Sequence, residues 1–82
     1  MDYLEKIELI KEKLVAGNRH DLTDEILERQ LSGGTGGEVL ISVCGRLLSI
    51  RKEDKSIFEL IKEESESLIK YANSIGLFPR PS

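Results

Sequence analysis

One cysteine and one histidine, Cys44 and His20, are the side chains that could form a nucleophile–base pair. Such a pair needs an exposed thiolate beside the base. Cys44 lies in the middle of an apolar stripe, where a free cysteine is usually a small core residue. His20 lies in a polar turn beside Asp21. We therefore expect a structural cysteine and no catalytic residue. One His and one Cys also cannot supply the usual ligands of a metal, and the sequence predicts no cofactor.

A glycine-rich stretch at residues 33–38, GGTGGE, is the most distinctive local pattern. Free backbone N–H groups with little side-chain bulk at the start of a helix suit a phosphate. However, the Lys-Ser/Thr pair of a P-loop is missing. Glu38 also places a negative charge where the phosphate would lie. We interpret residues 33–37 as a turn before a capped helix.

Carboxylates are abundant, and several pairs are four residues apart, for example Glu8 with Glu12. Like charges at this spacing destabilise a helix slightly. One interpretation is a solvated helical exterior. The other is that acidic residues of the second and fourth predicted helices gather on one side and attract a basic partner. On that interpretation the partner-binding residues are Asp21, Asp24, Glu25, Glu28, Glu59, Glu63 and Glu66.

Composition and charge limit the function classes. The 82 residues suffice for one domain, predicted at 1–78 with a short C-terminal tail at 79–82. A net charge of −3 argues against general nucleic-acid binding. The third predicted helix offers mainly Glu38, Ser42, Arg46 and Ser49, a poor set for reading bases.

Membranes and export are not predicted either. The longest apolar run, Val39–Ile41, is far too short to cross a bilayer. The first six residues lack the pattern of a secretory signal, and a lone thiol fits a reducing compartment. We therefore expect a cytoplasmic protein.

Four helical segments position these residues. Apolar side chains recur every three or four residues over about 2–16, 22–31, from 35 onward, and 56–74. Predicted N-caps are Asp2, Asp21, Thr35 (with Glu38) and Ser56 (with Glu59). Gly17 and Gly76 are expected to end helices in the left-handed conformation, with Leu77 folding back. Residues 39–44 could form a strand, but helical spacing continues to Leu48. The prediction is an all-α, antiparallel four-helix bundle or a close variant.

The segment Leu31–Leu48, LSGGTGGEVLISVCGRLL, resembles part of the small helical bacterial immunity proteins. In that pattern a helix ending in small residues precedes Thr-Gly-x-Glu and an aliphatic helix. Such proteins neutralise a cognate toxin, often a nuclease, delivered between neighbouring cells. The resemblance covers fewer than a quarter of the chain. It implies a one-to-one complex with a toxin domain and assigns no binding residues.

The leading hypothesis is therefore a small intracellular interaction protein of immunity or antitoxin type, which covers a basic surface of its partner with an acidic helical face. The alternative is a structural or adaptor module that forms a homodimer or larger homo-oligomer. Aliphatic residues outside the main stripes would then form the subunit interface; they are Leu9, Ile41, Ile50 and Leu60.

Overall fold

Four helices account for most of the computed structural model, which describes residues 3–32 and 34–81. They are α1 (Tyr3–Ala16), α2 (His20–Ser32), α3 (Gly36–Glu53) and α4 (Lys55–Ser74). Packing links α1 to α2 and α4, and α3 to α2 and α4, whereas the backbones of diagonal helices do not come close. Short connections make consecutive helices antiparallel. The predicted all-α four-helix bundle is confirmed.

The core forms where the apolar stripes of the four helices meet. Every stripe has the three- and four-residue steps that place side chains on one side of a helix. The fully or almost fully buried core residues are Ile7, Ile10, Leu14, Leu22, Ile26, Leu40, Val43, Cys44, Leu47, Ile50, Phe58, Ile61, Leu68 and Ala72. The prediction that Cys44 is a core residue is confirmed, because its exposed fraction is 0%.

The glycine-rich turn leads into α3 as the sequence predicts. Thr35 is the N-cap residue, and its Oγ1 accepts a hydrogen bond of 3.2 Å from the backbone N–H of Glu38. The Glu38 carboxylate in turn accepts from the N–H of Gly34 at 3.3 Å. The carboxylate and the Thr35 hydroxyl thus each occupy one backbone donor that an anion would need, as expected for a structural turn.

The predicted N-cap of α4, Ser56, is wrong. Helix α4 begins one residue earlier, and Asp54 caps it by accepting a hydrogen bond of 3.1 Å from the N–H of Ile57. The N–H of Asp54 also donates to the carbonyl of Ile50 at 2.8 Å, which ends α3. In addition, its carboxylate accepts from Arg19 at 2.9 Å. Asp54 therefore joins both helices to the α1–α2 connection, which Ser56 cannot do from inside the helix.

The α1–α2 connection departs from the sequence prediction at two residues. Asn18, rather than Gly17, takes the left-handed conformation with a φ of 62°. Asparagine tolerates this region, and the N–H of Arg19 closes the turn on the Leu14 carbonyl at 2.8 Å. Asp21 is not the N-cap of α2, because the helix already begins at His20. The proposed cap Asp2 lies outside the described residues.

The end of α4 is confirmed as a Schellman-type cap. Gly76 has a φ of 86°. The N–H of Leu77 donates to the carbonyl of Ala72 at 2.9 Å, as this motif requires. Leu77 folds back and packs against the core. The next residue, Phe78, is exposed and does not anchor the tail.

Replacing Asp54 and Ser56 separately distinguishes the two possible caps of α4. We expect Asp54→Ala to lower the free energy of unfolding by about 1–2 kcal/mol, since the N–H of Ile57 loses its acceptor. Ser56→Ala should change it by less than about 0.5 kcal/mol, because Ser56 is an exposed helical residue. Urea unfolding followed by circular dichroism measures both. Equal losses in the two variants would contradict the assignment of Asp54 as the cap.

Candidate interaction surface

The acidic residues predicted to bind a partner do not form one face. Four of them lie on α2 and three on α4, and these helices are diagonal neighbours whose backbones do not approach each other. The predicted single acidic side formed by α2 and α4 is therefore wrong. The two groups are Asp21, Asp24, Glu25 and Glu28 on α2, and Glu59, Glu63 and Glu66 on α4.

Two of the α2 carboxylates already have cationic partners within the protein. Asp21 accepts two hydrogen bonds of 3.1 Å from the guanidinium of Arg19, and this contact lowers the pKa of Asp21. Glu25 accepts a short hydrogen bond from Arg46 on α3. Arg46 also donates to Glu53 at 2.7 Å. Asp21 and Glu25 thus make intramolecular ion pairs, whereas Asp24 and Glu28 are exposed on the surface of α2.

The groove between α2 and α3 is lined by these paired groups. Arg46 lies in it with only 15% of its side chain exposed, between its two carboxylate partners. Arg29 donates to the carbonyl of Ser42 at 2.9 Å across the same groove. Arg46 therefore neutralises Glu25 and Glu53, and these bonds with that of Arg29 make the groove a polar contact between two helices.

A different surface, formed by α1 and α2, combines exposed aliphatic side chains with carboxylates. We call it the α1–α2 face. Its aliphatic members, between 41% and 78% exposed, are Leu4, Leu9, Val15, Leu27 and Leu31. Its acidic members, all exposed at the surface, are Glu5, Glu8, Glu12, Asp24 and Glu28.

The α1–α2 face is continuous rather than a scatter of single residues. Three shallow hollows line it and overlap: the first two share Glu8 and Glu12, and the last two share Leu27. Isolated apolar residues are ordinary on protein surfaces. A contiguous apolar strip bordered by charges of one sign is instead typical of an interaction surface.

Among the described residues, Lys11 is the one cation that lines these hollows, and it is already paired with a carboxylate. Its ammonium is 2.6 Å from the Glu8 carboxylate and donates to Gln30 at 2.7 Å. Its side chain is 15% exposed. The α1–α2 face is therefore electronegative, and its one amine contributes to the contact between α1 and α2.

Sequence reasoning found part of this surface and missed the rest. Asp24 and Glu28 were among the predicted binding residues, but the acidic side chains of α1 were not. The signal that could have found them was the pair Glu8 and Glu12, two like charges on one side of a helix. Leu4 was misleading, because its spacing fits the core stripe although half of it is exposed.

The residues predicted for a subunit interface do not form one patch. Ile50 is 1% exposed and belongs to the core, so its assignment to a surface is wrong. Leu9 and Ile41 are partly exposed but lie on the diagonal helices α1 and α3. Leu60 lies on α4 and is packed near Gly17.

Cys44 and His20 have different environments. Burial raises the pKa of the Cys44 thiol to about 12. His20 is exposed as the first residue of α2, not in a turn. Ser42, two residues before Cys44, accepts a hydrogen bond from Arg29, which is nine positions after His20 on α2. Cys44 therefore lies away from the end of α2 that carries His20.

Thiol labelling of Cys44 tests this description. We expect an aromatic disulfide reagent at pH 8 to react only when the protein opens, because the folded thiol is buried and protonated. The labelling rate should rise with urea in parallel with unfolding, and His20→Ala should not change it. Above pH 9.0, the ordinary thiol pKa, the Cys44 thiol ionises in the unfolded chain but stays protonated in the folded protein. The free energy of unfolding should therefore fall as the pH rises above this value. Rapid labelling of the native protein would contradict a core role.

Neither a metal site nor a membrane span is found in the part of the chain that the structure describes. Residues 3–32 and 34–81 contain no group of three or more His, Cys, Asp or Glu side chains arranged to hold a metal ion. None of the described helices is long and apolar enough to cross a bilayer. No protein family model matches this chain, and no curated protein or solved structure matches it.

Proposed function

We propose that this protein is an interaction domain that binds a basic partner protein through the α1–α2 face. The observation that carries the proposal is the continuity of five exposed aliphatic side chains with five carboxylates on two packed helices. The aliphatic strip provides apolar area to bury, and the carboxylates select a partner of opposite charge.

Magnitudes indicate that both components are needed. Burying a large aliphatic side chain completely contributes about 1.5–3 kcal/mol. Here four of the five side chains are already about half buried, whereas Leu31 is 78% exposed. The strip therefore contributes on the order of 5 kcal/mol. Association costs about 4–15 kcal/mol in lost translational and rotational freedom. The apolar contact alone is thus marginal, and complementary charge makes the complex both stable and selective.

The finer part of the proposal is that the partner is a toxin and the complex neutralises it. The local resemblance of Leu31–Leu48 to bacterial immunity proteins supports this function. A nuclease needs a basic surface to bind phosphates, and an acidic, partly apolar face is suited to cover one. The single reduced thiol is consistent with a complex formed in the cytoplasm.

A homodimer formed through the same face is less favourable. In a two-fold dimer each surface meets its own copy, so carboxylates would oppose carboxylates. Like charges brought together in an interface cost free energy. The electronegative character of the α1–α2 face therefore favours a basic partner over a second copy.

Matched charge variants test which face binds. We expect Glu12→Gln/Asp24→Asn/Glu28→Gln to weaken binding by at least about tenfold, or 1.4 kcal/mol, and to reduce its dependence on salt. The control, Glu59→Gln/Glu63→Gln/Glu66→Gln on α4, removes the same charge and should bind normally. Wild type and both variants are first used to capture proteins from the native host. A protein that binds wild type and the control, but not the first variant, is then purified and titrated by calorimetry.

The outcome separates the general proposal from the finer one. Equal capture by both variants, or loss only in the α4 variant, would contradict binding at the α1–α2 face. For the toxin function, the purified partner should inhibit growth when expressed alone, and co-expression of wild type should restore growth. A partner that does not inhibit growth would contradict the toxin-neutralising function but not the proposal that the protein is an interaction domain.

A further inference from the structure

We infer that the segment of the partner that occupies the α1–α2 face is a basic, amphipathic α-helix of about three turns. This inference rests on the proposed function and specifies the structure and chemistry of the segment that is bound. It follows from the shape of the face, from its backbone chemistry and from the placement of its charges.

The middle hollow of the face lies in the groove between two antiparallel helices, because residues of both α1 and α2 line it. The hydroxyl of Thr23 lies 3.4 Å from the carbonyl of Lys11, and the Lys11 side chain reaches Gln30, so α1 and α2 pack against each other. The aliphatic members of the face on α1 extend from Leu4 to Val15, with Glu8 and Glu12 among them. At 1.5 Å per residue this distance is about 17 Å, the length of a helix of about three turns.

The backbone of the face excludes an extended segment as the natural occupant. The N–H and C=O groups of α1 and α2 are paired within their own helices, and the described residues contain no strand to which another could be added. An extended peptide would bury its own backbone groups against side chains without partners. A helix brings its backbone hydrogen bonds already made, and it fits a groove between two helices.

The carboxylates determine the charge of the occupant. They lie on both helices that border the groove, with Glu5, Glu8 and Glu12 on α1 and Asp24 and Glu28 on α2. A bound helix should therefore present aliphatic residues at steps of three and four, with Lys or Arg on both sides of that stripe. Long basic side chains also cover apolar surface with their methylene groups, which suits the highly exposed Leu31.

Two synthetic 14-residue peptides of identical Leu and Lys content test the inference. One places Leu at helical spacing, and the other alternates Leu and Lys as in a strand. Each is labelled with a fluorophore and titrated with the full protein, and binding is followed by anisotropy. We expect the helical peptide to bind wild type at least about tenfold more tightly than the alternating one, and to become helical on binding.

Four protein variants locate the site. Leu27→Ser and the neutralised variant Glu12→Gln/Asp24→Asn/Glu28→Gln should each weaken binding of the helical peptide by about tenfold. The matched controls are on α4. Leu60→Ser, at a leucine of similar exposure, and Glu59→Gln/Glu63→Gln/Glu66→Gln should leave binding within about twofold. Thermal unfolding of every variant verifies that it is folded.

The results separate failure of this inference from failure of the proposed function. Equal binding of both peptides, weakened only by the α1–α2 variants, would overturn the helical occupant and leave the face as a binding site. No binding, or equal losses in the α4 controls, would overturn both. Sedimentation of the protein alone tests whether a second copy occupies the face. A dimer that Leu27→Ser abolishes would show that it does, and this result would overturn the inference.

Discussion

The arrangement of the bundle depends on how unequally the four helices contribute to the core. Five core residues lie on α3 and four on α4, against three on α1 and two on α2. The core is therefore built mainly on α3 and α4. Helices α1 and α2 cover it with narrow stripes, and several of their other aliphatic side chains remain exposed. The exposed apolar strip is a consequence of this inequality.

A partly buried ion pair helps to hold α1 against α4. The Glu64 carboxylate on α4 is only 10% exposed and accepts a 2.7 Å hydrogen bond from Lys13 on α1. Desolvation, the largest single effect, raises the pKa of Glu64. The hydrogen bond and charge of Lys13, a backbone hydrogen bond and the charge of Lys6 together outweigh it, so the pKa is lowered. The pair therefore stabilises the folded state at neutral pH and is lost as pH falls through the pKa of Glu64. By holding one side of α1 against α4, it leaves the side with Leu9 and Glu12 toward solvent.

Local sequence signals predicted the helices and some of their ends, but tertiary contacts decided others. Thr35 and Gly76 act through backbone groups within a few residues, so their spacing was sufficient. Asp54 and Ser56 are both suitable caps, and the choice between them involves Arg19, which is distant in sequence. The candidate site shows the same limit. The sequence identifies the acidic residues, but which helices share a side follows only from packing.

The combination of apolar and acidic residues on α1 and α2 also explains how such a strip can remain exposed. An uncharged strip of five aliphatic residues would favour self-association. Carboxylates on both helices oppose the approach of a second copy at short range, while they attract a cationic surface over about 8–10 Å at physiological salt. The same charges therefore disfavour one occupant and favour the other. Removing these carboxylates would weaken binding of the basic partner and favour self-association, because the aliphatic strip by itself does not distinguish a partner from a copy of the protein.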